Sequence, residues 1–351
     1  MLTKIVIKTL CVIAAPFVVM GCVQPLDPGP KASDGSNPMQ DFTDMYGNGT
    51  YTHSKRHTFS EVGKDFDPFV TRDGKKIIYA STRISAKSDI FMKNASSKIV
   101  EQITSTPYAD EKQPQLSPNG KSIIYASDKS GKWGIYEIST LTRGKSETEV
   151  VSNGRVNEQP AYSPDGSMIA YATWIPGEAN WYIATMDRKT QSESIYGPGV
   201  FPKFSPDGSK LLFQRPRSRA PQWYSIWILD LKTEFVSEII SNNNWAAVTP
   251  NWSPDGKKII FAAINKSVHK IGENAGDEIY TINADGTHLV RLTEDRYEDW
   301  NPVWSKTGRI FFVSKRNGFQ NIWSIKPKAM DSFHPDTIET QVDDVSRLEG
   351  L

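Results

Sequence analysis

The chain has 351 residues, with Lys and Arg totalling 41 and Asp and Glu totalling 40. That near-balance argues against a general nucleic-acid binder, which carries a basic excess, and the length suffices for a substantial core without staples. Gly (24), Pro (22) and an 11% aromatic share read as many turns joined by aromatic-rich strands, an all-β chain.

Residues 1–21, MLTKIVIKTLCVIAAPFVVMG, place Lys4 and Lys8 before an apolar run that contains Pro16. This is the n-region and h-region of a secretory leader, too short and interrupted for a span of about 20 residues. The run ends in Val19-Met20-Gly21-Cys22, which resembles the lipobox of bacterial lipoproteins. The resemblance implies cleavage before Cys22, a diacylglycerol thioether on its sulfur, fatty acylation of the palmitate kind and an anchor in the membrane. Two or more acyl chains hold a protein stably. Val23 in the next position implies the outer membrane where enterobacterial sorting applies. The other cysteine, Cys11, lies within the leader, so neither an internal disulfide nor a cysteine metal site is expected in the folded body. Residues 22–50 are rich in Pro, Gly, Ser, Asp and Asn and bury too little to offset their ordering entropy. They read as a flexible tether with a reach of about 30 Å.

From about residue 65 the chain repeats itself. The blocks are DPFVTRDGKKIIYAS at Asp67, QPQLSPNGKSIIYAS at Gln113, QPAYSPDGSMIAYAT at Gln159, FPKFSPDGSKLLFQR at Phe201, TPNWSPDGKKIIFAA at Thr249 and NPVWSKTGRIFFVSK at Asn301. Their turn glycines, Gly74, Gly120, Gly166, Gly208, Gly256 and Gly308, are spaced 46, 46, 42, 48 and 52 residues apart, the period of propeller blades. In Ser-Pro-Asp-Gly the proline pre-sets the backbone and the glycine accepts positive φ, which makes a tight hairpin. The strand after it is apolar on both faces, as a strand packed between blades must be. A third strand follows each time (DIFMK, GIYEI, NWYIATM, SIWIL, EIYTI, NIWSI), centred on Phe91, Tyr136, Tyr182, Trp227, Tyr280 and Trp323. These aromatics read as core. A fourth, outer strand such as Val290-Arg291-Leu292-Thr293 precedes the next block. Blocks one and six depart from the pattern, with Thr71-Arg72-Asp73-Gly74 and Ser305-Lys306-Thr307-Gly308.

The last repeat lacks a fourth strand after Lys326, and Lys55-Arg56-His57-Thr58 stands where it would be supplied from the N-terminus. The expected architecture is an all-β, six-bladed β-propeller of four-stranded blades over residues 51–328, closed by an N-terminal strand, with an acidic tail at 329–351. Closure removes an exposed strand edge. The blocks resemble the WD-like repeats of the TolB propeller. The resemblance covers roughly residues 51–328 and implies a TolB-like envelope protein; TolB itself has an additional α/β domain before its propeller, so TolB proper is not expected.

No catalytic motif is recognised. There is no G-x-S-x-G elbow, no H-E-x-x-H pair and no sialidase-type Asp box in the sequence. The five histidines, His53, His57, His269, His288 and His334, lack ligand spacing. The Gly-Lys-Ser at Gly120 and Gly144 lacks the upstream glycine of a phosphate loop. The carboxylates of the turns, Asp165, Asp207 and Asp255, read as structural. No cofactor, metal or catalytic residue is therefore expected, and the chain reads as a binding protein.

Binding residues are sought on the loops that join second to third strands and blade to blade, which share one face and vary most. They carry Lys129, Lys132 and Trp133, then Trp174 and Trp181, then Arg215, Arg217, Arg219 and Trp223, and Lys315, Arg316 and Phe319 in blade six. Blade five adds the insertion 265–277 with His269 and Lys270. Trp and Arg are the types enriched at binding hot spots. The three residues before each block proline are expected to ring the channel mouth: Asp65-Phe66-Asp67, Glu111-Lys112-Gln113, Asn157-Glu158-Gln159 and Asp299-Trp300-Asn301, against the apolar Gly199-Val200-Phe201 and Ala247-Val248-Thr249. Asp65, Asp67, Glu111, Asn157, Glu158, Asp299 and Trp300 would there receive a basic segment of a partner. By resemblance that partner is an envelope protein, for instance another lipoprotein. The competing readings are a polysaccharide-lyase-like enzyme and a carbohydrate-binding propeller using the loop tryptophans.

Overall fold

The hairpin turn is the unit from which the architecture grows. In blade three the Ser163 hydroxyl donates to Asp165 Oδ1 at 2.6 Å and accepts from the Met168 N–H at 2.9 Å, while Asp165 also accepts from the Ser167 N–H at 3.1 Å. The same hydroxyl–carboxylate clip recurs at Ser205–Asp207 and Ser253–Asp255. These donors hold the Asp165 and Asp207 carboxyls down to about 2. The turn acids are spent inside the turn, as their recurrence at one turn position predicts.

The computed structural model describes residues 51–141, 146–217, 224–265, 277–294 and 297–328. These form six four-stranded antiparallel sheets. Blade one runs outward through Asp65–Val70, Lys76–Ser81, Asp89–Asn94 and Val100–Gln102. The innermost strands of blades two to five are Glu111–Leu116, Asn157–Tyr162, Val200–Phe204 and Trp245–Trp252. Blade six takes Asp299–Trp304, Ile310–Ser314 and Asn321–Pro327 from the C-terminal end, and its outer strand is Tyr51–Arg56, paired antiparallel to Asn321–Pro327. The chain is thus a six-bladed β-propeller whose ring is closed by its N-terminal strand.

Each second strand is the densest part of its blade. Ile77, Ile78, Tyr79 and Ala80 are wholly buried, as are Ile123 to Ala126 and Ile259 to Ala262. Their two faces serve two blade interfaces: Ile78, Ala80 and Ile90 pack with Leu116, Ile123 and Tyr125 of the next blade, whereas Ile77 and Tyr79 pack with Phe311 and Ile322 of blade six. A strand gripped from both sides reads apolar throughout, and its burial is the main term holding blade to blade.

Each innermost strand carries a bulge. Register shifts between Phe66 and Phe69, Lys112 and Gln115, Glu158 and Ala161, and at the same place in the other three. The bulged residues Asp67, Gln113, Gln159, Phe201, Thr249 and Asn301 all have φ between 49° and 60°. A bulge inserts one residue and reverses which face the preceding side chains occupy. That reversal decides where the candidate residues point.

Candidate functional site

Asp65, Glu111, Asn157 and Asp299 precede the bulge, and none of them lines the channel cavity. All four are buried, three of them completely. A buried carboxylate needs a partner inside the protein. Asp65 accepts a two-pronged contact from Arg83, 2.8 Å to each oxygen, and a 2.6 Å hydrogen bond from the Ser81 hydroxyl. Arg83 in turn lies over the rings of Tyr79 and Phe91, 5.3 and 5.2 Å from their centroids. Blade six repeats the device: Arg316 donates to Asp299 at 2.6 Å and to Ser314, and lies 5.0 Å over the Phe312 ring. Asn157 exchanges amide hydrogen bonds with Asn153 and donates to the Arg155 carbonyl. Asp65 and Asp299 thus tie the innermost strand to the loop beyond the second strand, and Asn157 ties it to the loop that leads into it. The expectation that they face a basic partner is corrected on their position: a group without accessible surface cannot meet one. A sequence signal for the clip exists, since Ser81-Thr82-Arg83, Ser127-Asp128-Lys129 and Ser314-Lys315-Arg316 share one spacing at the end of the second strand.

Blade two has the parts of the clip but does not close it. Lys129 stands where Arg83 and Arg316 stand, yet its ammonium pairs with Glu147 and sits 3.8 Å over the Tyr136 ring. No hydrogen-bond donor lies within 3.5 Å of either Glu111 oxygen, and the Tyr125 hydroxyl on the neighbouring strand is likewise unpartnered. Burial raises the Glu111 carboxyl to about 7; the more distant Thr104 and Thr106 side chains pull it back in part, and Asp89 and Glu147 add to the rise.

The bulged residues do face the channel, and they lace the blades together. The Asp67 carboxylate accepts from the Gln113 N–H at 3.2 Å and from the Asn301 side chain at 2.6 Å. The Gln113 oxygen accepts from the Gln159 N–H at 3.0 Å, and the Gln159 oxygen from the Phe201 N–H at 2.8 Å. Thr249 uses the Gln214 oxygen instead, at 2.7 Å. Asp67 is therefore where the sequence expected a channel acid, but both its oxygens are engaged, and burial raises its carboxyl above the ordinary range. Below this belt a cavity of about 800 Å³ extends to the hairpin turns, the end opposite the variable loops. Lys203 lines it, with its ammonium pushed down to about 8 by burial against a smaller opposing pull from Asp67.

At the loop end, the sequence candidates on blades two and three form two groups. Lys112 lies 2.9 Å from Glu158 and 3.7 Å over the Trp133 ring. The Trp133 carbonyl accepts from the Asn157 N–H at 3.0 Å, which seats that loop beside blade three. Trp174 and Trp181 are direct cross-strand partners with ring centroids 5.7 Å apart, edge to face. Each of these five side chains is half-buried, so each keeps an open surface. Trp300 packs against the blade-five and blade-six core with Lys315 5.5 Å above its ring. Arg217 is committed to the Asn242 carbonyl and the Asn243 side chain at 3.0 and 2.9 Å.

Cys22, Arg219, Trp223, His269, Lys270 and the acidic tail lie outside the described residues. Among the described residues no cluster of three His, Cys, Asp or Glu is placed to hold a metal ion. The sequence placed His57 in the closing segment but did not single out Asn321 or Lys203 for the positions they hold. His57 and Asn321 serve closure and Lys203 serves the channel.

A profile of the TolB beta propeller domain family matches the chain at residues 40–196, 147–274 and 196–334. Uncharacterized peptidase YuxL of Bacillus subtilis (strain 168) is 26% identical over 140 residues, 38% of this chain and 20% of that protein. The chain thus matches about a fifth of that relative's length. A protein from Agrobacterium tumefaciens provisionally named TolB superposes with a TM-score of 0.58 at 18% identity, covering 76% of this chain and 91% of its own. An oligogalacturonate lyase from Vibrio parahaemolyticus superposes with a TM-score of 0.56 at 13% identity, covering 78% and 93%. At such identities the superpositions establish the fold.

Proposed function

Since the chain belongs to the family of the TolB β-propeller domain, we propose that it is a non-enzymatic binding scaffold, lipid-anchored through Cys22 in the bacterial cell envelope, whose loop end receives another envelope protein. The observation that carries this reading is the presence of two half-buried groups on adjacent blades, Trp133 with Lys112 and Glu158, and Trp174 with Trp181. Tryptophans held rigid by their neighbours offer large contact area at low entropic cost, and a charged pair beside them supplies orientation. The buried acids cannot take this role, because their charges are answered within their own blades or, at Glu111, shut away from solvent.

The test is cross-linking in cells, comparing wild type with a Trp133→Ala, Trp181→Ala double variant whose melt is unchanged. Loss of one specific cross-linked protein supports the scaffold. Equal capture by the folded variant removes this face from the mechanism. Anchoring is read separately: Cys22→Ser should abolish labelling by radioactive palmitate. The Trp174–Trp181 pair also favours a second reading, carbohydrate binding, since sugar rings stack on such faces. Titration with acidic and neutral oligosaccharides, followed by tryptophan fluorescence and by turnover assays, separates saccharide recognition or cleavage from protein binding.

A further inference from the structure

The cavity at the hairpin-turn end has a polarity that the lacing of the blades imposes. Four amides in its wall have their oxygens committed to a backbone N–H: Gln113 to Gln159, Gln159 to Phe201, Gln115 to the Tyr162 N–H at 2.5 Å, and Asn251 to the Trp252 N–H at 3.0 Å. An N–H can be answered only by an acceptor, so these contacts fix the amide orientation and leave each NH₂ over. None of the four NH₂ groups has a protein acceptor among the described residues. Lys203 is likewise without a hydrogen bond or ion pair among the described residues, and the Thr249 hydroxyl has no partner. Asn301 alone turns its NH₂ to Asp67, and the Asp67 oxygens are both occupied.

The wall therefore offers a surplus of donors around one unpaired ammonium in a cavity of about 800 Å³, within the size range of small-ligand sites. Donors converging with a cation in a recess are the complement of an anion rich in acceptors. The remaining charged groups around the cavity are Asp67 at its inner end and Arg72, Asp73, Lys75 and Lys76 at the turn rim, an excess of cations. The rim also has a latch: Arg72 reaches from blade one to the Pro254 carbonyl of blade five, 3.2 Å away, across blade six.

We propose that this channel is a binding site for a carboxylate-bearing ligand entering from the hairpin-turn end, with Lys203 meeting the carboxylate and the NH₂ groups of Gln115, Gln113, Gln159 and Asn251 meeting its neighbouring oxygens. The site is separate from the loop-end surface and does not depend on what that surface binds. A free peptide carboxylate and a uronate sugar present the same chemistry, so the experiment carries both. Calorimetric titration of the full chain uses triglycine against triglycine amide, and a diuronate against its methyl ester, each to millimolar concentration. The expected result is that a free acid binds and its neutral counterpart binds at least tenfold more weakly. The arm that responds identifies the source. Lys203→Gln and Lys203→Met should each lose at least tenfold in affinity while retaining the wild-type melt, and Lys203→Arg should retain binding. Affinity should fall as pH rises through about 8, the value at which Lys203 gives up its proton. Equal binding of acid and neutral forms, undiminished binding by a folded Lys203→Gln, or no binding of either acid overturns the proposal.

Discussion

The ring is regular through blades two to five and improvised where blade six meets blade one. Across the regular part, the turn glycine of one blade packs on the turn proline of the blade before it. A Cβ built on Gly166, Gly208 or Gly256 would lie 3.5, 3.4 or 3.3 Å from Pro118, Pro164 or Pro206. Blocks six and one lack the proline: Gly74 abuts Ser305 and Thr307, and Gly120 faces open space; Gly308 also faces open space, although the blade before it has Pro254. Hydrogen bonds replace the missing contacts. Arg72 latches onto blade five, and the Lys306 N–H donates to the Arg72 carbonyl at 2.7 Å. At the outer edge Asn321 accepts from Thr58 and from the Ser60 N–H and donates to the Ser60 carbonyl. His57 donates from Nδ1 to the Ala95 carbonyl and accepts at Nε2 from Ser324, while Lys93 donates to its carbonyl. Repeats joined by chain continuity need only stack; ends that meet without it need specific, directional contacts.

The most severe way to break this difference is to remove the closing strand. Deleting residues 51–60 strips blade six of its outer strand and removes the Thr58 and Ser60 partners of Asn321 and the His57 partner of Ser324. The expected loss is on the order of 5 kcal/mol or more, since several buried hydrogen bonds and a blade edge go together. Thermal melts should show the whole domain failing as one transition. Deleting residues 23–45 should leave the melt where it was. Equal melting of both truncations with the full chain refutes a structural role for closure.

His57 sharpens the same point through pH. Burial holds its imidazole down to about 4, against an ordinary 6.5. The neutral ring is the form that fits, so its contribution is whole above pH 6.5 and drains as pH falls toward 4. The full range corresponds to about 3 kcal/mol. In His57→Gln the loss over that window should vanish, so wild type and variant should converge in stability as the solution is acidified. Parallel curves would show that the imidazole does not carry the closure.

Much of this was legible in the sequence because it rests on spacing. Six Pro-x-x-Ser-Pro-Asp-Gly-like blocks gave the blade count, and the missing fourth strand after Lys326 pointed to the N-terminal strand. The acids before the prolines were misplaced for a physical reason. Strict alternation puts Asp65 and Asp67 on one face of a strand, but the bulge between Phe66 and Phe69 separates them. Asp67 reaches the channel and Asp65 turns into the sheet. Positive φ at Asp67, Gln113 or Phe201 leaves no mark on residue type, because the bulge is stabilised by a neighbouring blade about 40–50 residues away. Lys203 was unremarkable for the same reason. Its isolation depends on which residues stand opposite it across the ring.

Glu111 extends the comparison to the acid clips. Blades one and six close theirs with arginine; blade two leaves its carboxyl without a bound cation and raised to about 7, from an ordinary 4.5. The protonated form is the one that fits, so the sign is opposite to that of His57: stability is lost as pH rises from 4.5 through 7. Glu111→Gln should gain about 2 kcal/mol at pH 8 and little at pH 4, allowing for the unmet donors of the amide. Asp65→Asn, in a clip that is closed, should instead lose stability at both values. Denaturant melts at the two pH values read both signs, and a Glu111→Gln variant destabilised at pH 8 would mean that the carboxylate has a partner.

The smallest effect tests the turn annulus itself. Gly256 and Gly308 occupy the same turn position with nearly the same backbone, φ +73° and +74°. Replacing either with alanine carries the same backbone penalty, about 1 kcal/mol, for a side chain at positive φ. They differ only in what the new methyl meets. At Gly256 it comes 3.3 Å from the Pro206 ring, tighter than a relaxed contact; at Gly308 nothing lies within 4 Å. Gly256→Ala should therefore cost more than Gly308→Ala by roughly 0.5–1 kcal/mol, the order of a small overpacking strain. The backbone term cancels in the difference, which leaves the proline contact as the measured quantity. If the two variants melt together, stacking of turn on turn contributes nothing to the ring, and the regular blades are held by their buried second strands alone.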